Sequence, residues 1–354
     1  MMNKSVQLLD ATLRDGGQGF EDACTNMGAD ISFTPSVVNS FISLFADSGI
    51  DIIELGSIRP SNIDDSRFAI YNNIEDLSSH KPKTQNVNQM FVGLYIGPDT
   101  PVRDIPEWNP NLIDGVRVIL RYSELKKSID FCFSLASKGY KVFVQPMLTM
   151  RYSDNELDYI ISSANQMNAY ALYFVDSYGY MKNEDIYRLF HYYDSCLNKQ
   201  IRIGFHPHNN MSLAYSNAIC FLNIVTDRSL IIDSCVTGMG QGAGNLQTEL
   251  IIPYLNENYG KKFNYEMVLD ICDIIENTYE VRNLWGYSVA RLLPALYKTA
   301  YKYALVMRYK YNMSYRDILF CLQNIPPELK NRYTSDNLDN VLSRYNSKLS
   351  LYNK

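Results

Sequence analysis

The sequence predicts an α/β fold, a (β/α)8 TIM barrel followed by a C-terminal helical extension. Short apolar, β-branched runs alternate with helix-like segments about eight times along the chain. The 354 residues exceed the roughly 250 that such a barrel needs. Polar side chains also stand at the carboxyl ends of several runs, and a closed barrel brings those ends to one rim. An open doubly wound sheet is the competing fold, but it would separate the first and seventh strand ends.

Eight segments are predicted strands because each is a short apolar run bounded by polar or turn residues: 6–10, 51–55, 90–96, 115–120, 141–145, 171–176, 202–206 and 230–235. Apolar residues at helical spacing predict helices at 35–48, 123–138, 155–167, 183–197 and 212–223. Residues 5–255 are therefore the predicted catalytic barrel.

The pattern changes after the barrel. Helical periodicity without strand alternation predicts a helical domain at 262–333, with helices at 264–279, 287–306 and 314–323. Two prolines at 326 and 327 mark a break. Residues 334–354 are rich in polar side chains, and we expect a polar tail that frays.

Composition narrows the class of protein. The net charge of -5 argues against a nucleic-acid partner, which selects a clustered basic face. No apolar run reaches the length of a membrane span, and the first residues lack a signal-peptide pattern. The seven cysteines are scattered without a C-x-x-C pair, which indicates reduced thiols. These features predict a cytoplasmic protein with no membrane partner.

The first predicted strand ends in an unusual way. Arg14 and Asp15 follow it within five residues, and two glycines come next, which we interpret as a glycine turn. Such a strand end packs poorly but suits a site, because the carboxylate can hold a metal and the guanidinium can neutralise an oxyanion.

The seventh strand ends in a second polar group. His206 and His208 are two residues apart, so an extended backbone turns both side chains to the same side. Together with Asp15 on the same rim they can hold one ion. Two histidines and one carboxylate also describe the facial triad of non-haem iron oxygenases, so ligand identity alone leaves that class open.

Other strand ends carry further candidates. Asn245, in the glycine-rich segment after the eighth strand, is either a helix N-cap or an amide ligand of the metal. Ser177 can hydrogen-bond a substrate carboxylate or stabilise a turn, and Glu54 can orient Arg14 or a ligand. No lysine stands at the carboxyl end of a predicted strand, so carbanion chemistry here needs a metal and not an imine.

Three segments in order, 12–16 (TLRDG), 206–209 (HPHN) and 242–245 (GAGN), resemble the signature of the metal-dependent pyruvate aldolase and HMG-CoA lyase-like TIM-barrel family. The closest likeness is to its 4-hydroxy-2-oxovalerate aldolase branch, through residues 176–179 (DSYG) and 284–287 (LWGY). The resemblance covers residues 5–325.

The resemblance implies a lyase that forms or cleaves a 4-hydroxy-2-oxo acid through a pyruvate enolate, with a 2-oxo acid and an aldehyde as its small-molecule partners. It implies a homodimer and leaves an aldehyde dehydrogenase partner open. By matched position, the family implies roles for seven residues. The metal ligands are Asp15, His206, His208 and Asn245, for Mn²⁺ or Mg²⁺; Arg14 and Ser177 bind the substrate, and Arg14 and Tyr287 are catalytic. The predicted site also includes Glu54 as a substrate-binding residue and Gln18 as a catalytic residue.

One position departs from the aldolase pattern. Gln18 stands where the aldolase branch has a histidine base, whereas the isopropylmalate and homocitrate synthases have glutamine. A Claisen-type acyltransferase, acting on an acyl-CoA and a 2-oxo acid, is therefore the first alternative. A catalytically degenerate homologue that only binds ligands is the second.

Overall fold

The computed structural model describes residues 5–60, 66–83, 89–279 and 284–352. Its strands, β1 to β9 in chain order, span Val6–Asp10, Ile52–Ile58, Ile70–Tyr71, Met90–Tyr95, Gly115–Leu120, Lys141–Pro146, Ala171–Asp176, Arg202–Pro207 and Leu230–Ser234. Its helices, α1 to α13, span Thr12–Met27, Pro35–Ser48, Ile74–Ser78, Leu125–Ser137, Asp154–Gln166, Asn183–Cys196, Ala214–Asn223, Thr248–Tyr259, Tyr265–Thr278, Val289–Tyr297, Lys302–Tyr309, Tyr315–Gln323 and Ser335–Tyr352.

Eight parallel strands close into the predicted barrel. The order is β1-β9-β8-β7-β6-β5-β4-β2, and a pairing of β1 with β2 completes the circle. Leu9 pairs with Ile52 at this seam, and Val6 pairs with Leu230 on the other side of β1. The two-residue strand β3 lies outside the circle, beside the carboxyl end of β2. All carboxyl ends therefore meet at one rim, and the open sheet is excluded.

The helices around the barrel show why the periodicity predicted them. In α4, Ile129, Cys132 and Leu135 recur at helical spacing and are buried. On the opposite face of the same helix, Lys126 and Asp130 form an exposed ion pair at 2.9 Å. Within the described part of the chain, no helix has the length and apolarity to cross a membrane.

The stretch after β1 differs from its prediction. Arg14 and Asp15 lie in the first turn of α1 and not on a glycine turn. The Asp10 carboxylate accepts a hydrogen bond from the Thr12 amide at 2.9 Å at the start of this helix. Gly17 has a packing role, because a Cβ there would lie 1.9 Å from the Phe68 carbonyl oxygen. The glycines that suggested a turn instead allow α1 to approach the neighbouring loop.

The C-terminal region also differs in two places. The helix predicted at 287–306 is divided into α10 and α11, because Lys298 between them adopts a left-handed φ of 53°. Residues 334–354, for which a fraying polar tail was predicted, contain the helix α13. Leu338 and Val341, one turn apart, are buried in a small core that the C-terminal helices share. The few apolar residues of α13 form a narrow stripe, which the polar composition of the segment concealed in the sequence.

Candidate active site and metal centre

Three predicted ligands meet at the carboxyl rim. Asp15 comes from the first turn of α1, His206 from the end of β8, and His208 from the loop that follows. Asp15 Oδ2 lies 3.4 Å from His206 Nε2 and 3.9 Å from His208 Nε2, and a donor atom from each residue lies within 4.8 Å of the others. Bonds of about 2.1 Å around an octahedral ion place adjacent donors about 3 Å apart. The three residues therefore fit one divalent cation.

Hydrogen bonds at the far nitrogen fix both imidazole rings. His206 Nδ1 lies 2.8 Å from Asp233 Oδ2, and His208 Nδ1 lies 2.9 Å from the Asp176 carbonyl oxygen. Because both of these oxygens can only accept, each Nδ1 carries the proton. Each ring then turns its Nε2 toward Asp15, which is the arrangement of a metal-binding histidine with an outer hydrogen-bond acceptor.

The electrostatics suit cation binding as well. Burial by itself raises the pKa of Asp15, but the Arg14 guanidinium at 3.1 Å and the two histidines hold that pKa well below its usual range. Burial, followed by the neighbouring His206, lowers the pKa of His208 to about 4. At neutral pH the site thus offers an ionised carboxylate and a neutral His208.

Asn245 lies beside these ligands. Its Nδ2 donates to Asp15 Oδ2 and to the Met239 carbonyl oxygen, both at 2.8 Å. Among the described residues its buried Oδ1 has no hydrogen-bond partner. It does not cap a helix, because α8 begins three residues later with Gln247 at the N-cap. An unpaired amide oxygen next to Asp15 fits the role of a further ligand, which stays a prediction.

The Arg14 side chain is held in place by the carboxylate of Glu54, which lies inside the barrel. Arg14 Nε donates to Glu54 Oε2 at 2.7 Å, and Arg117 Nη1 donates to the same oxygen at 2.8 Å. Burial lowers the pKa of Arg14, but Asp15 and Glu54 raise it above its ordinary value, so the guanidinium stays charged. The fully buried Glu54 thus supports Arg14, and it is not among the residues that line the cavity described below.

Arg117 completes a closed ring of buried contacts. It spans Glu54 on β2 and Asp233 on β9, and its guanidinium lies 4.8 Å from the centre of the Tyr173 ring. Starting from the metal ligands, the ring runs through Asp15, Arg14, Glu54, Arg117, Asp233 and His206. The sequence analysis missed Arg117 and Asp233. Each of them could have been noticed in the sequence as a charged residue inside an otherwise apolar strand.

A cavity of about 140 Å³ opens beside the ligands and the Arg14 side chain. Gln18 and Ser177, both predicted as site residues, line it, and Gln145 and Tyr301 were not predicted. The Gln18 amide donates to the Ser57 hydroxyl at 3.1 Å. Ser177 Oγ accepts from the Leu148 amide at 2.8 Å, which leaves its own proton to donate.

Tyr287 lies elsewhere. Its side chain is 62% exposed, and it does not line this cavity. The loop that carries it is anchored by the indole of Trp285, which donates to the Thr237 carbonyl oxygen at 2.9 Å. The tyrosine that the C-terminal region contributes to the cavity is Tyr301, just before α11. With 28 tyrosines in the chain, the sequence could not indicate which of them faces the rim.

Residues 120–278 match the model of the HMGL-like family. A 4-hydroxy-2-oxovalerate aldolase from Geobacillus genomosp. 3 is 25% identical over 280 residues, which are 78% of this chain and 76% of that protein.

Two solved structures share the fold. A hydroxymethylglutaryl-CoA lyase from Pseudomonas aeruginosa superposes with a TM-score of 0.58 at 17% identity, over 78% of this chain and 94% of that one. The carboxyl transferase domain of Rhizobium etli pyruvate carboxylase gives a TM-score of 0.68 at 13% identity, over 98% of this chain and 61% of that one.

Proposed function

We propose, on the premise that residues 120–278 form an HMGL-like domain, that this chain is a divalent-metal-dependent aldolase. It forms or cleaves a 4-hydroxy-2-oxo acid through a pyruvate enolate. The observation that carries the proposal is the cluster of Asp15, His206 and His208 beside Arg14, at the mouth of a small cavity. The matched family and the names of the relatives support the aldolase or lyase kind of reaction.

Asp15, His206 and His208 hold the cation, Mn²⁺ or Mg²⁺, with Asn245 as a further ligand. When bound, the cation supplies Lewis-acid polarisation of the 2-oxo group of the substrate. The chain prepares the site by keeping Asp15 ionised and by turning both Nε2 atoms toward it.

Arg14 supplies the fixed positive charge of the chain at this place. Its guanidinium is bound to Asp15 and Glu54, so it cannot swing away as charge develops on the substrate oxygen. A preorganised contact of this kind in a partly dry site stabilises a transition state by about 3–4 kcal/mol. Ser177 and Gln145 line the same cavity, and in the proposed reaction they hydrogen-bond the substrate carboxylate. The cavity volume of about 140 Å³ suits a short 2-oxo acid.

The test is a cleavage screen. Purified protein is incubated with Mn²⁺ or Mg²⁺ and a series of 4-hydroxy-2-oxo acids that differ in chain length, and pyruvate release is followed by mass spectrometry. We expect pyruvate and the matching aldehyde from at least one substrate, loss of the reaction with EDTA, and loss in Asp15→Asn. Asp99→Asn, a surface carboxylate, is the matched control. Cleavage that survives EDTA contradicts the proposal.

Gln18 favours one rival reaction, because its amide lines the cavity where a base was expected. A Claisen-type acyltransferase would release free coenzyme A from an acyl-CoA in the presence of a 2-oxo acid. A thiol assay of the same preparation separates the two reactions. If neither pyruvate nor thiol appears while Mn²⁺ still raises the melting temperature, the degenerate binding homologue is the better description.

A further inference from the structure

Cleavage of a 4-hydroxy-2-oxo acid needs a group that takes the proton of the substrate hydroxyl, and few cavity residues qualify. The Gln18 amide has no basic atom. The Arg14 guanidinium is held charged between carboxylates. The hydroxyl of Tyr178 donates to the Asn331 carbonyl oxygen at 3.0 Å and is thus engaged away from the metal ligands. Among the described lining residues with an exchangeable phenol, Tyr301 is the remaining one.

Tyr301 is coupled to a buried acid. Its hydroxyl donates to Asp22 Oδ2 at 3.0 Å, and Asp22 is 7% exposed. The other oxygen, Oδ1, is engaged separately, with Lys302 Nζ at 2.6 Å and Asn26 Nδ2 at 2.7 Å. Asp22 Oδ2 is therefore available to accept the hydrogen bond of the Tyr301 hydroxyl. The Tyr301 ring lies against Gly242 of the glycine-rich loop, and a Cβ on that glycine would approach the ring to 3.3 Å.

The helix that carries the metal ligand also brings Asp22 to the site. Arg14, Gln18 and Asp22 follow one another at intervals of four along α1, so they share one face of the helix. Successive members are about 6 Å apart along the axis, since the rise is about 1.5 Å per residue. Asp22 thus lies one turn beyond Gln18, and the Tyr301 phenol connects it to the cavity.

We propose that Tyr301 and Asp22 form the proton relay of the cleavage step, an inference that rests on the proposed aldolase function. The proton of the substrate 4-hydroxyl passes to Tyr301 Oη while the proton of Tyr301 passes to Asp22 Oδ2. The electron pair of the substrate O–H bond forms the carbonyl of the departing aldehyde. The C3–C4 bond breaks, and its pair enters the pyruvate enolate. The proton then returns from Asp22 through Tyr301 to C3 of the enolate, which gives pyruvate and restores both side chains.

The protonation state of the phenol agrees with this sequence of transfers. Burial, followed by the charge of Asp22, raises the pKa of Tyr301 well above its ordinary value. The phenol is thus neutral at working pH, and it can accept one proton only as it gives up another. A phenolate base is not required.

The experiment compares Tyr301→Phe and Asp22→Asn with wild type at saturating Mn²⁺. General acid–base groups contribute about 10²–10⁴-fold to rate, so we expect each variant to lose kcat by at least about 100-fold with KM changed little. The double variant should be no slower than the slower single variant, because the two residues act as one unit. Inhibition by oxalate, an analogue of the enolate, should persist in both.

Tyr303→Phe is the matched control. It removes a buried phenol from α11, but that hydroxyl donates to the Leu329 and Arg332 carbonyl oxygens and not into the cavity. We expect wild-type kcat from it. Wild-type kcat in Tyr301→Phe or Asp22→Asn, with an active wild-type enzyme, overturns the relay alone. Loss of oxalate inhibition together with kcat shows a structural role and also overturns it. If wild type cleaves no 4-hydroxy-2-oxo acid, both the aldolase proposal and the relay fail.

Discussion

Asp233 Oδ2 lies 2.8 Å from His206 Nδ1, deep in the barrel, and this contact decides which nitrogen of the imidazole faces Asp15. Asp233 is kept ionised by its neighbours. Burial raises its pKa, but Arg117 and His206 outweigh burial and lower the pKa below its ordinary value. Asp233 does not line the cavity, yet it sets the ring orientation of a predicted metal ligand, His206.

Asp233→Asn should weaken Mn²⁺ binding by about 10–100-fold, the usual cost of losing an outer-shell partner of a ligating histidine. Isothermal titration calorimetry measures this directly. Asp227→Asn, which changes an aspartate with a 67% exposed side chain, is the control and should bind Mn²⁺ as wild type does. Unchanged affinity in Asp233→Asn would show that the ring orientation is set by packing alone.

Arg14→Ala should lower kcat by about 10²–10³-fold, the loss of one preorganised contact to a developing oxyanion. Metal binding should survive, because Arg14 is not a ligand. At a Mn²⁺ concentration of about 100 Kd, the ion should still stabilise the variant by about 2.7 kcal/mol, visible as a rise in Tm. Arg103→Ala, at a side chain that is 87% exposed, is the control. A fully active Arg14→Ala enzyme would refute the assigned role.

Gly17→Ala should destabilise the fold by about 1–3 kcal/mol, because the new methyl group overlaps the Phe68 carbonyl oxygen, which is backbone and cannot rotate away. Gly16→Ala is a control in the same turn of α1. Its methyl group meets the flexible Met239 side chain at 3.0 Å, and alanine favours the helix by about 1 kcal/mol. Urea denaturation measures the unfolding free energy of both variants and of wild type. Equal stability would remove the packing explanation of the glycine pair.

The stability of the protein should depend on Asp10. Burial raises its pKa from 3.8 to about 7, although hydrogen bonds from Thr248 and Thr12 partly oppose this. A raised pKa favours the folded state at low pH, and the advantage is lost as pH rises through 7. Relative to wild type, Asp10→Asn should therefore gain on the order of a few kcal/mol in unfolding free energy between pH 4 and pH 8.

Chemical denaturation at several pH values measures this difference. Asp176, whose pKa burial also raises to about 7, titrates in both proteins and cancels in the comparison. Asp47→Asn, at an exposed position, is measured alongside as the control variant. If the difference in unfolding free energy between Asp10→Asn and wild type stayed constant from pH 4 to pH 8, Asp10 would be charged in the folded state throughout that range.

The strands and the cluster of Asp15, His206 and His208 could be predicted because their signals are local. Apolar runs define strands, and the spacing of His206 and His208 places both rings on one side of an extended backbone. The first helix was missed because its two glycines read as a turn. Only tertiary packing explains them, since Gly17 lies against the Phe68 carbonyl group and Gly16 against the Met239 side chain.

The support of the site could not be predicted in the same way. Arg117 and Asp233 lie on β5 and β9, and they meet only across the interior of a closed barrel. Whether Tyr301 or Tyr287 faces the cavity depends on how the chain turns at Lys298 between α10 and α11. The hydrophobic periodicity of the sequence does not indicate this turn. Positions that act through distant partners therefore carry weak local signals.

Asp15 and Asn245 touch across 230 residues of chain, from the first unit of the barrel to the last. The proposed cation would join the first and last units of the barrel, where β1 pairs with β9. Its ligands come together only when the two ends of the barrel sequence have met, so we expect the cation to stabilise the closed barrel and not its unfolded precursors. Interactions absent from the folding transition state mainly slow unfolding. We therefore expect the proposed cation to slow the unfolding of the closed barrel and to leave its folding rate nearly unchanged.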